Sequence, residues 1–236
     1  MLLPEANPER TPFSHVLLAL LVASGCHATE PAEEPTGSPH AVEDSTGPSL
    51  VARGRELWSA GDVDGALEAF EQAAGLESTE AETRVEALRW SAHAHIVRGD
   101  PEAALPVFQR ARALAPDDPW LCYGEGSAWS TMGELERAEG CYGDAIARDP
   151  THVKALQWRG ETRLLLHDGE GAVADFTRAV EALDAAAEVD LEAWGGNRRE
   201  LLSMTLALRI EALDSLGRVE EADRDRQRRE QLLRGP

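Results

Sequence analysis

The residues of this 236-residue chain with the most specific chemistry are three cysteines and two closely spaced histidines. Cys26 ends the run Leu-Leu-Ala-Leu-Leu-Val-Ala-Ser-Gly-Cys that begins at Leu17. Such a run reads as a transmembrane anchor, a cleaved signal, or an attachment made through the cysteine. Cys122 and Cys141 are the remaining pair. In an oxidising compartment they could form a disulfide; they could equally be small buried hydrophobes. His93 and His95 stand two apart, so on a helix they point in different directions. No His-Glu-x-x-His motif accompanies them, and no metal site is expected. Phosphate loops, nucleophile elbows and the protein-kinase motif set are absent. Acidic pairs are everywhere among 43 Asp and Glu, so none stands out as a general acid and base. Neither an enzyme nor a cofactor is expected.

Charge bounds the partners. The formal net charge of -20 repels nucleic acid, whose binding needs a basic face. Lys154 is the sole lysine. A hydrophobic content of 42% suffices for a packed core. Abundant alanine, with few β-branched runs after residue 49, points to closely packed helices.

The apolar run Val16–Ala23 is about half the ~20 residues a helix needs to cross a bilayer. Its length suits a signal peptide, although Arg10 is the only basic residue before it. Val-Ala-Ser-Gly-Cys resembles the lipobox of bacterial lipoproteins, with Ala23 standing where leucine is commonest. The resemblance implies cleavage after Gly25, leaving Cys26 as a lipidated first residue. The chain would then be held in a bacterial cell envelope by an N-terminal lipid. His27 after the cysteine leaves transport to the outer membrane unblocked, as an outer-membrane lipoprotein facing the periplasm. Ordinary secretion and a chance cytosolic sequence are the alternatives. Residues 27 to 49 hold five acids, four prolines and no Lys or Arg, and cannot bury enough surface to offset ordering. The expected divisions are therefore a signal peptide at 1–25 and a disordered acidic tether at 26–49.

From residue 50 the elements that must position any site recur. Phe70, Phe108, Tyr142 and Phe176 are spaced by 38, 34 and 34 residues. Alanine precedes each by four (Ala66, Ala104, Ala138, Ala172) and follows each by three (Ala73, Ala111, Ala145, Ala179). Gly54, Ala92, Gly126 and Gly160 hold the matching place upstream, and Pro116 and Pro150 close two copies. The pattern resembles the tetratricopeptide repeat. It implies an all-α fold, a right-handed superhelical array of antiparallel helix pairs, with four repeats over 50–186. Residues 187–236 would be a degenerate fifth repeat and capping helix, where Arg226 replaces the aromatic. The small upstream residues should let the first helix approach the alanines of the second, with the aromatic filling the gap toward the next repeat. His167 stands where earlier turns have glycine, and a less regular corner is expected there. Trp194-Gly195-Gly196 reads as a turn.

In such arrays the first helix of each pair lines the inner groove. The resemblance places there Arg55 and Trp58, Arg89 and His93, Trp120, Tyr123 and Ser127, then Lys154, Gln157 and Glu161. His95 takes a core position. This mixed surface, with aromatic anchors and three cations, suits a protein or peptide partner of some acidic character. Trp58 and Trp120 could instead pack between helices. The Lys and Asn set with which some members clamp a C-terminal carboxylate is missing. The expected function is a non-enzymatic, lipid-anchored scaffold in envelope assembly or secretion. A regulatory or solute-sensing module and an enzyme with an unrecognised site are the alternatives.

Overall fold

The computed structural model describes residues 46–186 and 197–234. Cys26, the expected signal peptide, most of the expected tether and the expected turn at Trp194 lie outside them. The described residues form ten helices in five antiparallel pairs. These are α1 (Gly47–Ser59) with α2 (Val63–Gly75), α3 (Ala81–Val97) with α4 (Pro101–Leu114), and α5 (Pro119–Thr131) with α6 (Leu135–Arg148). Then come α7 (Val153–Leu165) with α8 (Gly169–Ala185), and α9 (Arg198–Ser215) with α10 (Val219–Arg234). The fold is an all-α solenoid. First helices of successive pairs approach one another, whereas second helices do not come as close, so the first helices form the inner face.

Helix α1 starts earlier than the expected boundary at residue 50. Thr46 caps it reciprocally: the Ser49 N–H donates to Thr46 Oγ1 at 3.4 Å, and the Thr46 N–H donates to Ser49 Oγ at 3.1 Å. Pro48 sits in the first turn, where its missing N–H costs nothing. The last residues assigned to the tether therefore belong to the repeat.

All five pairs turn in the same way. The hinge residue is left-handed at Gly61, Gly99, Gly133 and Gly217, with φ between 70° and 87°. In each, the following N–H donates to a carbonyl five residues back, as in Asp62 to Leu57 at 2.9 Å and Arg218 to Leu213 at 2.9 Å. Asp62 and Asp100 then cap the next helix, accepting from the N–H of Gly65 and Ala103. The irregular fourth corner expected at His167 is not found. His167 adopts φ 63°, and the Asp168 N–H closes the same bond to Arg163 at 2.8 Å. A side chain has been forced into the glycine conformation because the turn's hydrogen bonds require it.

The packing adds to the expected role of the small residues. Phe70 and Phe108 reach the next pair as expected, at Trp90 and Gly124, and glycines of the ring's own pair also make room for it. A Cβ on Gly54, Gly126 or Gly160 would lie 2.5–2.6 Å from the ring of Phe70, Tyr142 or Phe176. Each glycine is thus a notch for the aromatic of its own pair, and these rings are fully buried. The second pair has Ala92 at that position, and Phe108 leans on Gly124 of the next pair, where a Cβ would come within 2.3 Å. In the fifth pair Arg226 is exposed and bonded to Asp214 and Asp223, which suits a final helix facing water.

Two substitutions test this reading by urea denaturation. Gly160→Ala should cost roughly 1–3 kcal/mol through overpacking against Phe176. His167→Gly should gain roughly 1 kcal/mol by relieving the left-handed backbone. A stabilised Gly160→Ala protein would contradict the notch.

Candidate functional site

The inner face is read along three rows of equivalent positions on the first helices. Lys154, Gln157 and Glu161 stand at i, i+3 and i+7, so they share one face of α7. Their counterparts on α5 are Trp120, Tyr123 and Ser127, and on α3 they are Glu86, Arg89 and His93. On α9 the counterparts are Met204, Ala207 and Glu211, so the fifth pair extends the groove beyond the residues named from sequence.

The aromatics pack as well as line. Trp58 is half-buried and meets Trp90 edge-on, with centroids 5.5 Å apart; Trp90 in turn stacks on Phe70 at 5.8 Å. Trp120 lies between Tyr123 at 5.8 Å and His152 at 4.3 Å. Tyr123 is buried, and loss of water around its hydroxyl pushes its pKa up to about 12. Ser127 turns its hydroxyl to the Tyr123 carbonyl at 3.2 Å. His152 is a residue that sequence reasoning missed. It caps α7, its Nδ1 accepting from the Ala155 N–H at 3.2 Å, and is fully buried under Trp120. Its position beside Thr151 and Val153, at the start of an apolar helix, was a usable cap signal.

The cations divide into spent and unspent. Arg55 is exposed and ion-paired with Glu86, so it does not join the groove as a free charge. Arg89 is half-buried and lies over the Trp120 ring at 6.0 Å; burial lowers its pKa. Lys154 is half-buried too, and burial again lowers its pKa. Neither Arg89 nor Lys154 meets an acceptor within ion-pair distance among the described residues. His93 lies close enough to both for their charges to add to burial in lowering its pKa to about 4, so it is neutral at pH 7. Its Nδ1 bonds the Arg89 carbonyl at 2.9 Å, and its ring meets Phe108 edge-on at 5.6 Å.

At the other end, Gln157 is buried and its Nε2 donates to Thr205 Oγ1 at 2.7 Å, tying α7 to α9. Glu161 is 8% exposed and has no hydrogen bond or ion pair among the described residues. Burial first, and the Glu211 charge second, raise its pKa to about 7.

Sequence reasoning also missed the ion pairs behind the groove. Arg159 grips Asp175 bidentately at 2.9 and 2.6 Å, and Arg163 bridges Asp175 and Glu139. Arg209 grips Asp225 at 2.6 Å through both nitrogens. Each bidentate pair has the same 16-residue separation across its turn, which was the sequence signal for them. His95 is buried, with Nε2 3.6 Å from Glu71. Cys122 and Cys141 are not bonded to each other; both are free thiols, with pKa values raised chiefly by burial, to about 11 for Cys141. Among the described residues, no group of three or more His, Cys, Asp or Glu could hold a metal ion.

Comparison with known proteins matches this geometry. Family patterns described as tetratricopeptide repeat match residues 51–119 and 96–160. Protein adenylyltransferase fic-1 of Caenorhabditis briggsae is 35% identical over 68 residues, 29% of this chain and 13% of that protein. The chain thus corresponds to a small part of that relative's length. Among solved structures, the Cut9–Hcn1 hetero-tetramer of APC/C aligns with TM-score 0.66 and 15% identity, covering 81% of this chain and 34% of that one. PilW, a type IV pilus biogenesis factor, aligns with TM-score 0.61 and 16% identity, covering 77% and 76%. At those identities the likeness is one of fold.

Glu161 gives a stability test. A carboxyl raised from 4.5 to about 7 keeps a proton that the unfolded chain has released. Stability is therefore lost as pH rises through that window, and the loss persists above it. Glu161→Gln should be roughly 2–3 kcal/mol more stable than the parent at pH 8 and indistinguishable at pH 4. Equal denaturation midpoints at pH 8 would contradict the assignment.

Proposed function

We propose, from the premise that this is a tetratricopeptide-repeat protein, that it is a scaffold holding an extended peptide or protein segment along its inner groove. The observation that carries this is the unpaired state of Arg89 and Lys154. In a chain of net charge -20, nearly every other half-buried cation is bonded to a carboxylate or a carbonyl. These two are held partly desolvated on the inner face, and an incoming carboxylate would supply what the fold withholds. Trp120 beneath Arg89 offers an apolar surface for the same segment. The absence of the Lys and Asn clamp makes internal acidic side chains better candidates than a chain terminus.

The proposal extends to location. The lipobox-like Ala23–Cys26 and the acidic, proline-rich stretch after it support a lipid-anchored protein in a bacterial envelope, serving assembly or secretion. Among the described residues no helix is long and apolar enough to cross a membrane.

Two measurements test these parts separately. Arg89→Ala combined with Lys154→Ala should weaken binding of an acidic peptide at least tenfold while leaving the thermal midpoint close to the parent's. Unchanged affinity would contradict groove binding. Mass spectrometry of the mature chain should show residues 1 to 25 removed and a lipid on Cys26, with Cys26→Ala released from the membrane. A mature chain without lipid would contradict the anchor.

A further inference from the structure

We infer that Glu161 of α7 and Glu211 of α9, with Gln157 Oε1 beside them, form a subsite for an ammonium or guanidinium side chain of the bound segment. This rests on the groove-binding reading. Glu161 is more than nine-tenths buried, yet neither of its oxygens accepts a hydrogen bond or faces a cation among the described residues. An unpaired carboxylate in that position is costly, and the fold has not replaced it with an apolar residue.

The cations of neighbouring elements are committed elsewhere. Arg159 and Arg163 hold Asp175 and Glu139, and Arg209 holds Asp225. Lys154 lies on the same face of α7 but two turns away, about 10 Å along the axis. From α5 and α6 the groups near Glu161 are the Tyr123 and Tyr142 hydroxyls, both held neutral. From α9 it is Glu211, which is exposed and has no ion pair among the described residues. Gln157 donates to Thr205 and keeps its Oε1 free. The subsite thus presents oxygen acceptors with no cation supplied to it among the described residues. Burial first, and the Glu211 charge second, raise the Glu161 pKa.

The groove is consequently bipolar. Arg89 and Lys154 take an acidic group, and Glu161 and Glu211 take a basic one. The two turns between Lys154 and Glu161 match about three residues of extended peptide. The partner is a segment with an acidic residue and a Lys or Arg about three positions apart, and it lies in one direction. Binding a cation favours ionised Glu161, so affinity should fall as pH drops through about 7.

The test uses the full chain and a random dodecapeptide library displayed on phage, selected at pH 8. Selected peptides are then synthesised and titrated by calorimetry. Expected are sequences with an acidic residue about three positions from Lys or Arg. Norleucine in place of the basic residue should weaken binding about tenfold or more. Affinity should drop about tenfold from pH 8 to pH 6, and Glu161→Gln should remove both effects. Glu211→Gln, an exposed change, should weaken the same peptides. Peptides that need Arg89 and Lys154 but ignore the norleucine change, pH and Glu161→Gln would overturn the subsite alone. If no selected peptide depends on Arg89, Lys154 or Glu161, the groove reading falls and the subsite falls with it.

Discussion

The stack depends on an aromatic ring seated in a notch on the facing helix. Phe70, Tyr142 and Phe176 each occupy space that a single Cβ at Gly54, Gly126 or Gly160 would take. The contact fixes how close α1 and α2, α5 and α6, and α7 and α8 can come. Alanines on either side of each ring, all fully buried, let the backbones reach that distance. Phe108 shows how far the rule bends. Ala92 stands in the notch position of its pair, and the ring also fills space at Gly124 of the next pair, as Phe70 reaches Trp90 of its own next pair.

That economy of volume shapes the groove. Because small residues and one ring close each pair, the inner face of every first helix is free to carry large or polar groups. Trp120 and Tyr123 occupy it on α5, and Lys154, Gln157 and Glu161 on α7. Behind them the bidentate pairs Arg159–Asp175 and Arg209–Asp225 bind α7 to α8 and α9 to α10. Together with Arg112–Glu125 they pair three of the four buried carboxylates among the described residues, so the charges left on the inner face stand out against a satisfied background. Positive charge gathers toward α3 and the start of α7, and negative charge toward the end of α7 and α9.

Much of the array was legible in the sequence because its constraint is periodic. The recurrence of alanine, aromatic and alanine identifies the pairs without any structure. The direction of packing was not legible, since periodicity says which residues are buried but not which ring meets which glycine. His167 misled for a related reason. Its identity signals a different corner, yet the hydrogen bonds of Asp168 to Arg163 and of His167 to Leu164 impose the common one. The positions expected to line the groove on α3, α5 and α7 came from carrying helix positions across repeats, and the structure sets them on first helices. Glu211 and Met204 escaped because the fifth pair is offset by an insertion. The partnering of charges was invisible from sequence: nothing in the order of residues says that Arg55 is taken by Glu86 while Arg89 stays unpaired.

The most direct test of groove binding is photocrosslinking in the native host from individual positions. A photoreactive residue at Arg55 or Glu211, exposed at opposite ends of the inner row, should yield discrete adducts. The same residue at Gln72 or Asp144, exposed on second helices, should yield none. Adducts formed only from Gln72 and Asp144 would contradict the account and move the binding surface to the outside of the array.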